Sequence, residues 1–193
     1  PKSPDYTRTR LTTSTWGEGE RPDTAEDLWV ATNATNPPMA GVSFSVCAIG
    51  DTSYDEFCKA GKDWDQKFAA LGATRVHDIQ LCDVEYEPEW KSWADAVLPI
   101  MTTVDGGEYD ESSASTTETA TADTSATTQV ATAGGSEALS AVFSGDRSIN
   151  ILFGSQTGNA AGLAEKTAKL AANYGLEPKV VDMDGFDLSL IHI

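Results

Sequence analysis

The chain has 193 residues, a formal net charge of −17 and a sequence pI near 4.2. This excess of carboxylates argues against nucleic acid or an anionic membrane as a partner, and it suits either a basic partner protein or simple solubility. The three cysteines lack a C-x-x-C spacing and only two histidines are present, so we expect no disulfide framework and no metal site, and a cytoplasmic location. No apolar run reaches transmembrane length.

The first half of the chain alternates strand and helix patterns. Each apolar or β-branched run ends in a polar, glycine-containing stretch, and each following segment repeats its apolar residues at helical spacing. In chain order, the predicted elements are a strand at Thr9–Thr15, a short helix from Pro22, a strand at Val42–Ile49, a helix at Asp55–Leu71, a strand at Thr74–Leu81 and a helix from Pro88 to Met101. The alternation predicts an α/β fold with a parallel sheet.

A different composition separates this half from the rest. Residues 104–146 are rich in Ser, Thr, Ala, Gly and acidic side chains, with few large apolar residues. Such a segment cannot bury enough surface to offset its ordering entropy, so we predict a disordered linker between residues 1–103 and 147–187. After it we expect a strand at Ile149–Phe153, a helix at Asn159–Tyr174 and a strand at Lys179–Met183.

The turn after the first of these strands has the features of an anion site. Gly154, Ser155, Thr157 and Gly158 come between a buried strand and a helix start, where amide donors and the helix dipole favour a phosphate. The turn lacks the lysine of a Walker loop, which argues against a nucleoside triphosphate and suits a phosphate monoester. An ordinary capped βα turn is the alternative reading.

Two further loops are predicted at the same edge of the sheet. Residues 14–20 and 50–58 also follow strands, and each offers an aromatic side chain, Trp16 or Tyr54, beside glycine and polar groups. In an open parallel sheet, ligands bind at the carboxyl ends of the strands. A phosphate site with two aromatic side chains suits a flat conjugated ring that carries a phosphate tail.

Three motifs carry a family resemblance. GSQTGNA, TSTWGEGERPD and AIGDTSYDEFCKAGKDWD resemble the flavin loops of the flavodoxin-like FMN-binding module of diflavin reductases, especially those of the sulfite reductase flavoprotein subunit. GATRVHDIQLCDVEYEPEW, which leads into the last helix of the first half, adds to the likeness. The resemblance covers about residues 9–101 and 148–187, and it implies a flavodoxin-like three-layer fold with a doubly wound parallel five-stranded sheet of order 2-1-3-4-5.

The resemblance also implies binding roles by position. It implies that Trp16 and Tyr54 flank the isoalloxazine ring, and that the Gly17 peptide can rearrange to accept a hydrogen bond from the reduced ring. Carboxylates near the ring, such as Glu18 and Glu20, would disfavour a negatively charged reduced flavin. The FMN phosphate would be held by Ser155, Gln156, Thr157, Gly158, Asn159 and Ala160. Backbone or polar contacts to the ring would come from Ser14, Thr15, Gly17, Gly50 and Asp51, and positions near the ring or ribityl chain are Phe57, Cys58 and Asp83.

An electron-transfer function follows from the resemblance. We expect an FMN module that is a non-autonomous part of an NADPH-dependent oxidoreductase, with FAD and NADPH on domains outside this sequence and a haem or iron–sulfur protein as electron acceptor. A stand-alone flavodoxin-like electron carrier is one alternative, and an interaction module without flavin is another. The cofactor would carry the chemistry and the protein would supply binding and electrostatics.

The chain order departs from the family pattern. The phosphate loop should come first, yet it follows strands three to five, and the helix between strands two and three is missing. A piece that spans two tandem modules is the favoured explanation, and a circular permutant is the alternative. The ending Leu188–Ile193 is also what the end of a transposase sequencing adapter encodes, so we expect the natural sequence to stop near Asp187 and residues 188–193 to be adapter-derived.

Overall fold

A parallel β-sheet forms the centre of the fold. The computed structural model describes residues 8–15, 19–104 and 147–184, with the backbone alone for 8–14, and all of them belong to one compact unit. Its strands are β1 (Arg8–Ser14), β2 (Ser43–Ile49), β3 (Thr74–Arg75), β4 (Gln80–Cys82), β5 (Ser148–Gly154) and β6 (Glu177–Asp182). Its helices are α1 (Asp23–Thr35), α2 (Lys59–Ala70), α3 (Glu87–Thr103) and α4 (Asn159–Asn173). The predicted α/β class is confirmed.

The strand order brings the two halves of the chain into one sheet. From edge to edge the order is β3, β2, β1, β5, β6, with β4 also pairing with β2, and every pairing is parallel. β1 lies between β2 and β5, and its register with β5 runs from Thr9 opposite Asn150 to Thr13 opposite Gly154. The chain leaves β1 toward one edge and leaves β5 toward the other, so a topological switch point lies between these two strands.

At the sheet edge next to β2, the structure differs from one prediction. The segment Thr74–Leu81 was expected as one strand, but β3 and β4 are separate, so the described residues form six strands rather than five. Thr74 pairs with Ser43, whereas Gln80 pairs with Cys47, so two extra residues are accommodated between the two short strands. The interruption includes His77, whose backbone carbonyl accepts a hydrogen bond from Ser45 Oγ at 3.4 Å.

Helices cover both faces of the sheet. The face with α1 and α2 buries a cluster that includes Phe44, Val46, Trp64 and Phe68, and the face with α3 and α4 buries another that includes Trp93 and Leu163. Side chains of β2 alternate between the two clusters, and all seven of its residues are buried. This is the pattern of a central parallel strand covered on both faces.

One buried hydrogen bond joins helices from the two halves of the chain. Trp90 Nε1 of α3 donates to Thr167 Oγ1 of α4 at 2.9 Å, which satisfies the indole N–H within the core. The sequence therefore places a polar group on the buried stripe of α4 without leaving it unpaired. Within the described ranges, no helix combines the length and apolarity needed to cross a membrane.

The start of α2 also differs from the prediction. The helix was predicted from Asp55 but begins at Lys59, because Cys58 adopts a left-handed conformation with φ of 56° just before it. The Cys58 side chain is fully buried, and its Sγ lies 3.4 Å from the Ala48 carbonyl oxygen. Burial of this side chain therefore overrides the local helical pattern of Asp55–Cys58.

The remaining boundaries agree with the predictions to within a few residues, apart from the predictions that fall on residues the structure does not describe. Trp16, Gly17 and Glu18, the linker from residue 105 onward and the tail 188–193 lie outside the described residues, as does the side chain of Ser14. The disorder of the linker and the origin of the tail stay predictions.

Candidate functional site

A cavity of about 370 Å³ opens at the carboxyl edge of the sheet. Its walls come from the segments that follow β1, β2, β4 and β5, so the parallel strands direct four chain segments to one place. The volume falls in the range of small-molecule and cofactor sites. The lining residues are Thr15, Ile49, Gly50, Asp51, Tyr54, Glu56, Phe57, Cys58, Val84, Tyr86, Gln156, Thr157 and Asn159.

The loop from Ser155 to Gly158 forms one wall. Gly158 has φ of 87°, a left-handed conformation, and its N–H donates to Ser155 Oγ at 2.9 Å. This turn leads directly into α4, whose first residues expose amide groups toward the loop. Among the described residues, the amides of Thr157, Asn159 and Ala160 have no hydrogen-bond acceptor. Unpaired amides at a helix N-terminus can bind an anion.

The first turn of α1, which does not line the cavity, forms hydrogen bonds with this loop. The Ser155 N–H donates to Thr24 Oγ1 at 3.1 Å, and the Asp23 N–H donates to Gln156 Oε1 at 3.2 Å. Gln156 Nε2 also donates to Asp23 Oδ2 at 3.4 Å. These contacts join residues more than 130 positions apart and fix the loop from Ser155 to Gly158 against α1.

The loop after β2 forms another wall. The Gly50 N–H donates to the Cys82 carbonyl at 2.9 Å, and the Tyr54 N–H donates to the Asp51 carbonyl at 3.2 Å. Asp51 Oδ1 also accepts the Ser53 N–H at 2.8 Å, which stabilises the turn. Tyr54 is 47% exposed, so its ring is available to a ligand in the cavity.

Asp83 stabilises this loop rather than lining the cavity. Its carboxylate accepts hydrogen bonds from Thr52 Oγ1 at 2.6 Å, from the Thr52 N–H at 3.0 Å and from the Val84 N–H at 2.8 Å. These bonds, that of the Thr52 hydroxyl above all, lower the pKa of Asp83. The stabilisation is therefore present above the ordinary carboxylate range and is lost as the pH falls through the lowered pKa.

Cys58 lines the cavity as a buried, packed residue. Its Sγ donates to the Ala48 carbonyl at 3.4 Å and lies 3.6 Å from the Cys82 carbonyl oxygen. Burial raises the pKa of the Cys58 thiol to about 12. A thiol that stays protonated at neutral pH is a weak nucleophile, so this geometry favours packing over redox chemistry.

The burial of all three cysteines predicts their reactivity. Cys47, Cys58 and Cys82 form no disulfide among the described residues, and all three are fully buried. We expect the folded protein to react with less than about one equivalent of an aromatic disulfide reagent at neutral pH within minutes, and all three thiols to react in guanidinium chloride. Fast reaction of one thiol in the folded protein would contradict this burial.

Thr15 connects the end of β1 to the cavity. Its N–H donates to the Ile49 carbonyl at 2.8 Å, and its Oγ1 accepts the Ala60 N–H at 3.2 Å. The Thr15 hydroxyl therefore satisfies an amide of the first turn of α2 while its side chain faces the cavity. The neighbouring predicted residues Trp16 and Gly17 are not described, and Ser14 is described by its backbone alone.

Comparison with known proteins identifies the family. The flavodoxin family pattern matches residues 3–124 and 151–192, which is most of the chain. The chain belongs to the flavodoxin family. Members of this family bind FMN, and the match confirms the flavodoxin-like fold predicted from the three loop motifs.

Curated relatives of this flavodoxin-family chain include flavoprotein subunits of sulfite reductase. This chain is 43% identical over 99 residues to the sulfite reductase [NADPH] flavoprotein alpha-component of Shewanella oneidensis, and the match covers 48% of this chain and 16% of the relative. The corresponding protein of Cronobacter sakazakii is 40% identical over 89 residues, covering 46% and 15%. The matched region thus spans about a sixth of the length of these relatives.

Solved flavodoxin structures are also similar. A cysteine-to-serine mutant of flavodoxin from Pseudomonas aeruginosa is 29% identical, with a TM-score of 0.42, and the match covers 46% of this chain and 63% of that chain. Flavodoxin 2 from Bacillus cereus is 34% identical, with a TM-score of 0.34, and the match covers 42% and 55%.

The cavity fits the FMN that binds to this family. Unpaired amides at Thr157 and Asn159 can donate to a phosphate, and a Cβ added at Gly158 would meet nothing within 4 Å, so this side of the loop is open. The accessible ring of Tyr54 on another wall can contact a flat ring system. The described residues contain no group of His, Cys, Asp or Glu side chains arranged for a metal ion.

The structure places some of the predicted site residues along the cavity and others outside it. Ser155, Gly158 and Ala160 belong to the loop after β5 and the start of α4 without lining the cavity, and Asp83 supports the loop after β2. Glu20 is exposed and does not line the cavity. The predicted residues that line the cavity are Thr15, Gly50, Asp51, Tyr54, Phe57, Cys58, Gln156, Thr157 and Asn159.

Four lining residues were missed by the sequence reasoning. Ile49 looked like an ordinary strand end, and Glu56 fell within the segment predicted as helix. Val84 and Tyr86 follow β4, a fourth strand end whose loop was not included among the candidate loops. The rule that ligands bind at the carboxyl ends of parallel strands could have identified these two residues, because that rule applies to every strand of the sheet.

Proposed function

We propose that this chain is the FMN-binding electron-transfer module of a multidomain NADPH-dependent reductase similar to the sulfite reductase flavoprotein subunit. Electrons would arrive from an FAD domain outside this sequence and leave to a haem or iron–sulfur protein. The observation that carries the proposal is the cavity lined both by a loop with unpaired amides at a helix start and by an accessible aromatic ring. A stand-alone flavodoxin-like electron carrier is the second candidate, and sequence downstream of this chain that encodes an FAD/NADPH domain would decide against it.

Different residues would bind the phosphate and the ring of FMN. The amides of Thr157, Asn159 and Ala160 would hold the FMN phosphate, and Tyr54 would pack against the ring, with Trp16 as its proposed counterpart. Bound FMN supplies one- and two-electron chemistry, for which the protein provides the electrostatic environment. Among the described residues, the charged side chains that line the cavity are Asp51 and Glu56, both acidic. Carboxylates beside the ring oppose the build-up of negative charge there.

The charge of the chain supports a basic partner protein. The net charge is −17, and two carboxylates line the cavity. Val84, which is 66% exposed, lines the same cavity and offers an apolar contact. A partner surface that bears Lys and Arg around an apolar centre would complement these residues and associate faster at low salt.

We further propose that segments 1–103 and 147–187 derive from consecutive flavodoxin-like modules of a longer protein. The phosphate loop after β5 follows the strands that it precedes in the family order, which supports two incomplete modules in sequence. A circular permutant is the alternative, and the pairing of β5 with β1 favours it because one sheet then contains both segments. The sequence of the full-length gene distinguishes the two.

Titration with FMN tests the binding site. We expect the purified protein to gain bound flavin absorbance and to quench FMN fluorescence. We expect Tyr54→Ala to raise the FMN Kd about tenfold, because an aromatic contact contributes about 1.4 kcal/mol. Tyr174→Ala is the matched control, since Tyr174 is 39% exposed at the far end of α4, roughly 22 Å from its start. Protein that binds no FMN would contradict the proposed function.

A further inference from the structure

Thr24 makes a contact with the phosphate loop that no sequence motif indicated. The residue lies in the first turn of α1, and its Oγ1 accepts the Ser155 N–H at 3.1 Å in a partly buried setting. Ser155 is fixed at a second point, because its own Oγ accepts the Gly158 N–H at 2.9 Å. The backbone at both ends of the loop is therefore held by hydroxyl oxygens.

These two bonds decide which loop amides remain for a ligand. The N–H groups of Ser155 and Gly158 are consumed within the protein, whereas those of Thr157, Asn159 and Ala160 have no acceptor among the described residues. Without Thr24 Oγ1, the partly buried Ser155 N–H would lose its partner and the loop would have to turn to find another. An amide buried without an acceptor carries a free-energy cost comparable to that of a lost hydrogen bond.

We propose that Thr24 is a positioning residue that sets the conformation of the phosphate loop, and that it acts on the phosphate end of FMN and not on the ring end. The inference rests on the proposed function. The reciprocal contacts of Asp23 with Gln156 support the same arrangement, since they bring the same turn of α1 onto the next loop residue. Neither Thr24 nor Asp23 lines the cavity, so Thr24 acts through Ser155 rather than on the ligand directly.

The ring end of the cavity is built from other segments. Tyr54 belongs to the loop after β2, which is held by Asp51 and Asp83, and Thr15 is bonded to Ile49 and Ala60. Thr24 accepts its hydrogen bond from Ser155 of the phosphate loop, which lies on a different wall from these groups. A change at Thr24 should therefore weaken binding of a flavin with a phosphate and spare one without it.

The test compares FMN with riboflavin, which lacks the phosphate. We expect Thr24→Val to raise the Kd for FMN about tenfold, while the Kd for riboflavin changes less than about twofold. Thr24→Ser retains the hydroxyl acceptor, so we expect FMN affinity within about twofold of the wild type. Thr35→Val is the matched control, because Thr35 lies on the same helix and its Oγ1 bonds to Ala31 within that helix. Fluorescence quenching measures each Kd in the full chain, and thermal unfolding reports whether each variant is folded.

The outcomes separate this inference from the function on which it rests. An unchanged FMN affinity in Thr24→Val would overturn the inference alone. Equal losses for FMN and riboflavin would overturn it too, because they indicate a general structural role. A misfolded Thr24→Val leaves the comparison to Thr24→Ser and to Thr24→Ala, for which the same selective loss is expected only in the alanine variant. A wild type that binds neither flavin would overturn the proposed function and the inference with it.

Discussion

Gly50→Ala is expected to destabilise the fold by about 2 kcal/mol and to disrupt the cavity. A Cβ at this position would lie 2.8 Å from the Cys58 backbone nitrogen, 3.0 Å from Cys58 Sγ and 3.0 Å from Phe57 Cδ2. The closest of these atoms belongs to the backbone, so a side-chain rotation cannot relieve the clash. Overpacking of this kind costs about 1–3 kcal/mol in well-packed sites.

The disruption should reach the ligand because of where these atoms lie. Phe57 and Cys58 line the cavity, and the Cys58 conformation determines where α2 begins. Displacing them moves the loop that carries Tyr54. We therefore expect roughly a tenfold or greater rise in the FMN Kd together with a fall in Tm of about 6 °C.

Gly162→Ala is the matched control for stability. Gly162 lies in α4, and an added Cβ there would meet nothing within 4 Å. The same chemical change should therefore stabilise the protein by up to about 1 kcal/mol, because alanine favours the helix over glycine. If the close approach at Gly50 causes the destabilisation, thermal and urea unfolding will show stability changes of opposite sign in the two variants. A neutral Gly50→Ala would show that the loop can move without cost.

Some elements could be predicted from local sequence patterns alone, because their packing in the structure agrees with those patterns. The burial of every residue of β2 follows from its apolar run, and the helical spacing of Trp90, Trp93, Val97 and Met101 marks the buried face of α3. In these segments the propensity, the apolar pattern and the tertiary packing agree. Such agreement is what makes boundaries readable from sequence.

The errors arose where tertiary contacts override local preference. Asp55–Cys58 has the composition of a helix start, but the burial of Cys58 against Ala48 and Cys82 turns the chain before α2 begins. The two extra residues between β3 and β4 depend on the register with β2, which no pattern within Thr74–Leu81 encodes. Both features require knowledge of a neighbouring strand.

The sequence predicted those features of the site that depend on residues close together in the chain. The loop after β5 could be predicted as an anion site from its own residues, because glycine, hydroxyls and a helix start occur together. The contact of Thr24 with Ser155 could not, since the partners are 131 positions apart in the chain. The placement of β5 beside β1 likewise came from family resemblance, because the order of strands in a sheet is a non-local property.

Thr157→Asp is expected to raise the FMN Kd about a hundredfold or more. Thr157 lines the cavity and is exposed, and its amide is among those without an acceptor in the described part of the chain. A carboxylate at this position would face the phosphate that the loop is proposed to bind. Two like charges about 4 Å apart repel by about 4 kcal/mol near a protein surface, and a hundredfold change corresponds to about 2.7 kcal/mol.

Two controls separate local repulsion from other effects. Thr157→Val removes the hydroxyl without adding charge, so its effect should be about tenfold or less. Thr74→Asp adds the same charge on the exposed start of β3, which pairs with the start of β2 at the opposite edge of the sheet, and should change the Kd less than about twofold. Riboflavin affinity should stay unchanged in all three variants.

Salt supplies the decisive comparison for Thr157→Asp. Because the repulsion is electrostatic and near the surface, raising the ionic strength from about 0.05 M to about 0.5 M should recover part of the lost FMN affinity in this variant. The loss in Thr157→Val should not respond to salt in this way, since it removes a neutral hydrogen-bonding group. If Thr157→Asp binds FMN as tightly as Thr157→Val at both salt concentrations, the phosphate does not lie at this loop, and the anion site must be sought elsewhere on the cavity wall.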